Sequence, residues 1–217
     1  VVGGAGVFVP PGVPVGVTGD AQHAPRGSVT PRGVHRFLVM AIDRKTGKTI
    51  WERVAREQEP HEQAHVDNGT WASSSPLTDG ERLYAYFESF GLYAYDLNGK
   101  LLWEKDLGDK KMRNEFGEGS TPALHGNTLV IVWDHLGGQS FIVALDKREG
   151  RELWRQPREE IDTWATPLIL EVNGRPQVVV PAMERVRSYD LETGALVWES
   201  DGLTMNSIPS PVYGDGL

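Results

Sequence analysis

The chain has 217 residues, a mass of 24.0 kDa and a formal charge of −8, with acidic and basic residues interspersed. That length supports one sizeable core, and the charge pattern lacks the basic stripe a phosphate backbone demands, which excludes nucleic acid as a partner. There is no cysteine, so disulfides, thiolate metal sites and a cysteine nucleophile are excluded, and no apolar run reaches the roughly eighteen residues of a membrane span.

In chain order, Val1–Val9 is an apolar, glycine-containing stretch that predicts a strand, read as the innermost of a first repeat. The chain opens without a Met or a charged segment, so a beginning is expected to be missing. Pro10–Arg36 follows with five Gly and five Pro among 27 residues and no apolar periodicity, which fits a binding flap or a disordered insertion. Then comes Ala41-Ile-Asp-Arg-Lys-Thr-Gly-Lys-Thr-Ile-Trp51, the first of four similar sentences. The others are Ala94–Trp103, Ala144–Trp154 and Ser188–Trp198. A Ser/Thr-Pro pair keeps step with them at Ser75-Pro76, Thr121-Pro122, Thr166-Pro167 and Ser210-Pro211, with the prolines 46, 45 and 44 residues apart.

The second copy shows the unit most clearly. Ser73–Leu77 predicts a short strand ended by Thr78-Asp79-Gly80, Arg82–Phe87 a second, Gly91–Tyr95 a third and Leu101–Lys105 the outer one. Asn98-Gly99 closes the last hairpin, since a type I′ turn needs positive φ at both residues. The other copies carry one more turn residue, with Gly47, Gly150 and Gly194 in the late position. A period in the forties with four strands per period predicts an all-β fold, a β-propeller of four-stranded antiparallel blades. The repeats fall at about 1–54, 73–107, 120–155 and 165–199 of a single domain over 1–217, with a fifth beginning at 209. About four blades are present, the expected half of a seven- or eight-bladed propeller, whose missing half or a partner covers the exposed blade edges. Each Asp that opens a turn (Asp43, Asp96, Asp146, Asp190) reads as a cap for backbone N–H groups rather than as one of a ring of carboxylates. Trp51, Trp103, Trp154 and Trp198 read as wedges between blades, with Trp198 the more exposed.

A meander sends the first-to-second and third-to-fourth turns to one rim, and here these are all tight. The long connections, Pro10–Arg36, Ala55–Thr70, Gly108–Gly119, Pro157–Asp162 and Ser200–Ile208, fall on the other rim, where binding is expected. The ligand-binding candidates there are His61, His65, Asn68, Trp71, Glu118, Asp162 and Trp164. Trp71 and Trp164 offer flat apolar surface, while Asn68 and Glu118 offer orienting hydrogen bonds. Either Trp reads equally as a plug of the central channel. His61-Glu62-Gln63-Ala64-His65 also matches H-E-x-x-H, which in a zinc hydrolase needs both histidines on one helical face. A polar inter-blade loop and a rim metal site on His61 and His65 are the other readings of that segment.

Ala-x-Asp-x-x-Thr-Gly-Lys-x-x-Trp, best kept around Trp51 and Trp198, resembles the tryptophan-docking motif of the pyrroloquinoline-quinone (PQQ) repeat family. Its members include quinoprotein dehydrogenases, the outer-membrane assembly lipoprotein BamB and secreted propellers. The resemblance implies a periplasmic, cell-envelope or secreted location. The reading adopted is a non-catalytic module that binds a protein, peptide or glycan on the long-loop rim, with no cofactor expected and no catalytic residue assigned. The alternative is a fragment of a dehydrogenase that oxidises an alcohol or sugar with PQQ and Ca²⁺, for which Glu115, Glu118, Asn68 and Asp162 are the available oxygens. The alcohol-oxidising members usually add a ring of adjacent cysteines, which this sequence lacks.

Overall fold

The computed structural model describes residues 2–8, 28–29, 33–65, 70–205 and 208–214, in two compact units that meet at Glu118/Gly119. Nearly all of the regular structure is β, and no helix is long and apolar enough to cross a membrane. In the first unit the strands are β1 (Val2–Phe8), β2 (Ser28–Val29), β3 (His35–Ile42), β4 (Thr49–Gln58), β5 (Ala64–His65), β6 (Leu77–Thr78), β7 (Arg82–Tyr86), β8 (Leu92–Asp96) and β9 (Leu101–Lys105). They form a sheet β1-β3-β4, a sheet β6-β7-β8-β9 and a small ladder β2-β5. The second unit holds β10 (Ala123–His125), β11 (Thr128–Trp133), β12 (Ser140–Asp146) and β13 (Glu152–Arg158) in one sheet. Its other sheet holds β14 (Leu168–Val172), β15 (Arg175–Pro181), β16 (Arg185–Asp190) and β17 (Leu196–Asp201). All neighbours are antiparallel and sequential within the four-stranded sheets, which are propeller blades.

Two expectations shift. β1 pairs along its whole length with β3, Val2 opposite Ile42 and Phe8 opposite Arg36, so it takes the second position of its blade and not the innermost. The first sheet has three strands among the described residues, and residues 9–34 connect its second strand to its third. The innermost strand of the next blade is also shorter than Ser73–Leu77: β6 keeps only Leu77 and Thr78, opposite Tyr84 and Leu83. Pro76 has no N–H for a ladder, and the Ser73 and Ser74 hydroxyls donate to the Thr70 carbonyl (2.9 Å) and to Glu88 (3.1 Å) instead.

The repeated sentence has a local cause. In every blade the first residue of the motif sits directly across the ladder from the motif Trp: Ala41 opposite Trp51, Ala94 opposite Trp103, Ala144 opposite Trp154 and Ser188 opposite Trp198. A bulge follows at that residue each time, turning the strand toward its hairpin. The Asp then caps the turn. Asp43 Oδ1 accepts from the Lys45 and Thr46 N–H groups at 3.0 and 2.7 Å, and Asp190 Oδ1 from Glu192 and Thr193 at 3.1 and 2.9 Å. The bonds at Thr46 and Thr193 hold both carboxyls below the ordinary range. The Ser/Thr-Pro pairs are linked as well, Thr121 N–H donating to Thr166 Oγ1 (3.2 Å) and Thr166 N–H to Ser210 Oγ (2.9 Å). A hydroxyl at that place serves the preceding blade's orphan N–H.

Middle strands are buried on both faces and read as apolar runs; β13 and β17 are outermost and mostly exposed. In the first unit the core between its two sheets is aromatic: Phe37 stacks on Phe90 at 4.3 Å and meets Phe87 edge-on at 5.4 Å. In the second it is aliphatic, with Val130, Val132, Ile142, Val178 and Val180 around Trp154.

Candidate functional site

Three loops of the first unit converge where β7 turns into β8. The turn itself is a single 3₁₀ turn, Glu88–Phe90, entered with Glu88 at φ 52°, a region a glutamate adopts at a cost of about 1–3 kcal/mol. That strain is held by contacts. Glu88 Oε2 meets the Lys110 ammonium at 2.6 Å with both side chains buried, and Glu88 Oε1 accepts from Ser74. The Lys110 N–H donates to Ser89 Oγ (2.8 Å), and the Ser89 N–H to Glu118 Oε2 (3.0 Å). The loop 106–119 is thus latched to the turn at both of its ends. It is latched equally to the loop before it: His61 Nε2 lies 2.8 Å from the Lys110 carbonyl, and the Met112 N–H donates to Glu62 Oε2 (2.9 Å). The His65 N–H closes the set on the Phe116 carbonyl (3.1 Å).

The charge in this network is unbalanced. One ammonium faces Glu88 and Glu118, with the buried Tyr86 hydroxyl near both carboxylates and unbonded among the described residues. Burial, then the Glu88 charge, pushes the Glu118 carboxyl up to about 8, so it holds its proton at neutral pH. Burial also raises Glu62, against the pull of the Met112 N–H, and lifts the Tyr86 phenol well above its ordinary value.

Of the residues singled out in the sequence, His61, Trp71 and Glu118 line one cleft here, with Glu62, Phe87 and Glu88. Trp71 donates its indole N–H to the Glu62 carbonyl (3.0 Å) and meets His35 edge-on at 4.8 Å. The cleft holds about 10 Å³, room for a single water. His65 lies beside it in β5, against the Phe116 ring at 5.1 Å. Asn68 lies outside the described residues. Asp162 and Trp164 belong to the second unit, Asp162 buried and Trp164 half-buried against Gly119. The H-E-x-x-H reading is overturned: His61 and Glu62 form a bend and His65 sits in a strand, so no helical face joins the two rings. Among the described residues no three His, Cys, Asp or Glu come together as a metal site, and this cleft is smaller than a fused-ring quinone.

Glu88 and Lys110 escaped the sequence reading. In the second unit so did a matching network, in which Arg158 makes a two-pronged pair with buried Asp134 (2.8 and 3.0 Å) and donates to the Tyr189 hydroxyl (2.7 Å). Arg187 joins Glu160 and Glu199 beside it. Arg158, Arg187, Tyr189 and Glu199 line an open groove of about 400 Å³ with Arg185, but each arginine there already has a carboxylate partner. The motif tryptophans differ in exposure: Trp154 is buried, Trp51 and Trp103 half-buried, and Trp198 is 41% exposed.

Residues 88–217 match the family model described as "Outer membrane protein assembly factor BamB". The assembly factor BamB of Francisella salina is 32% identical over 98 residues, 45% of this chain and 17% of that protein. BamB of Kangiella koreensis is 30% identical over 122 residues, 54% of this chain and 29% of that protein. The chain therefore covers less than a third of either relative's length. Among solved structures, BamB from Moraxella catarrhalis superposes with a TM-score of 0.51 at 18% identity, over 82% of this chain and 51% of that one. A quinohemoprotein alcohol dehydrogenase from Comamonas testosteroni gives 0.52 at 14% identity, over 85% and 36%. At these identities the likeness is one of fold.

Proposed function

This chain belongs to the PQQ-repeat β-propeller family of the outer membrane protein assembly factor BamB, and on that premise we propose that it is a non-catalytic docking module of the cell envelope. Its long-loop rim in the first unit receives a protein partner during outer membrane protein assembly. One observation supports this above the rest: the rim loops are tied to one another through buried polar contacts, leaving a water-sized cleft instead of a ligand chamber. A braced surface of this kind suits protein recognition, in which interface backbones move little on binding. Trp71 and His61 supply the aromatic centre, and the exposed Thr70, Lys111 and Asn114 a polar border. A protein partner is favoured over a peptide or glycan because the cleft among the described rim residues is only water-sized.

The test against an oxidoreductase role is calorimetric titration with PQQ in the presence of Ca²⁺, followed by a dye-linked assay with alcohols and sugars. The docking role predicts no heat of binding and no turnover. Saturable PQQ binding with dye reduction would replace it.

A further inference from the structure

The dipeptide Asn-Gly occurs three times, at Asn68, Asn98 and Asn173, and the first of these lies outside the described residues. The other two each close a hairpin in similar company: Leu97-Asn98-Gly99-Lys100 between β8 and β9, Val172-Asn173-Gly174-Arg175 between β14 and β15. Asn before Gly is a chemically labile pair, because no side chain on the glycine shields its backbone nitrogen from the neighbouring amide carbon. Attack requires the Asn–Gly peptide to swing round until that nitrogen faces the Asn side chain. The contacts around each turn decide whether it can.

At Asn98 the peptide is held. The Asn98 N–H donates to Asp96 Oδ1 (2.9 Å), and the Gly99 N–H, the nitrogen that would attack, donates to the Asp96 carbonyl (3.0 Å). Arg53 Nε donates to the Gly99 carbonyl (2.7 Å), with its Nη2 3.4 Å from the Asn98 carbonyl. The Trp51 ring covers buried Gly99 so closely that a Cβ there would sit 2.8 Å from it. Among the described residues nothing comparable holds Asn173. It and Gly174 are exposed, at φ of 52° and 75°, and a Cβ on Gly174 would have nothing within 4 Å. The ladder grips this turn at its base, through Val172 opposite Arg175. We propose that Asn173 is a site of spontaneous covalent modification, deamidating to aspartate and isoaspartate, while the fold keeps the same dipeptide intact at Asn98. The Gly174 nitrogen gives its proton to solvent and bonds to the Asn173 side-chain carbonyl carbon. The side-chain nitrogen takes up a proton and leaves as ammonia. Water then opens the cyclic imide at either carbonyl. One product is aspartate; the other routes the chain through the side-chain carbon and frees an α-carboxylate, the group an isoaspartyl methyltransferase esterifies.

Ageing the whole chain in mildly alkaline buffer tests this. Both hairpin peptides are followed by mass spectrometry, with methyl label from an isoaspartyl methyltransferase as the second readout on each. Asn173 should convert at least about tenfold faster than Asn98, the ratio that one net hydrogen bond at Gly99 supplies. In denaturant the two rates should converge, since the flanking residues are alike and only the fold separates the sites. Arg53→Ala, which frees the Gly99 carbonyl, should raise the Asn98 rate and leave Asn173 unchanged. A stable Asn173, an Asn98 that converts as fast in the folded protein, an Asn98 rate that Arg53→Ala leaves unmoved, or a difference that persists in denaturant would overturn the proposal.

Discussion

The two units build the same feature with different chemistry. In each, an acid follows the second strand of a blade (Glu88 after β7, Asp134 after β11), and a base arrives from the end of the fourth strand or just beyond it (Lys110 after β9, Arg158 at the end of β13). In the second unit the guanidinium fork uses both oxygens of Asp134 and adds Tyr189, so that pair is matched one to one. Burial works against the Arg158 charge, but Asp134 outweighs it and its pKa stays above the ordinary value. In the first unit a single ammonium faces two carboxylates, and Glu118 keeps its proton to about pH 8. The second pair is balanced one to one; the acid-rich first one makes its loop depend on pH through Glu118. The dependent one lies under the proposed docking rim.

The largest effect should come from breaking the matched pair. Arg158→Met leaves Asp134 buried without its counter-ion, and should cost about 3–5 kcal/mol in denaturant unfolding at pH 8. Lys110→Met should cost about 3 kcal/mol at pH 8 and progressively less toward pH 5, because Glu118 takes up a proton more readily when the ammonium is gone. A Lys110→Met cost that stays the same from pH 5 to pH 8 would erase the acid-rich reading of the first unit. A finer cut is Glu118→Gln. The Glu118 pKa is raised on folding from its ordinary 4.5 to about 8, so the folded state holds a proton that the unfolded state has lost. Its stabilising effect is complete below about pH 4.5 and disappears as pH rises through 8. Wild-type stability should therefore fall across that window relative to the Gln variant, and parallel curves would refute the assignment. At the small end, Glu57→Gln removes an exposed pair with Arg36 (3.2 Å) and should change stability by less than about 1 kcal/mol at either pH.

The blades were legible because their signals are local. The Asp cap, the turn glycine and the Trp opposite Ala or Ser recur within eleven residues, so composition and spacing reveal them. The polar network was not legible. Glu88 and Lys110 lie 22 residues apart in no motif, and they meet only because a glutamate adopts a positive φ that sequence preference argues against. His61-Glu62-x-x-His65 misled in the opposite way, offering a helical motif to a segment whose backbone bonds go to neighbouring strands and loops.

The claim that the long-loop rim docks a protein is tested most directly by site-specific photocrosslinking in the cell. A benzoylphenylalanine is placed at Thr70 or Lys111 on the rim, or at Gly80 or Asn98 on the tight-turn side. The account predicts a discrete protein adduct from both rim positions, lost when Trp71 is replaced by Ala, and none from the turns. Adducts from Gly80 and Asn98 with a silent rim would contradict it.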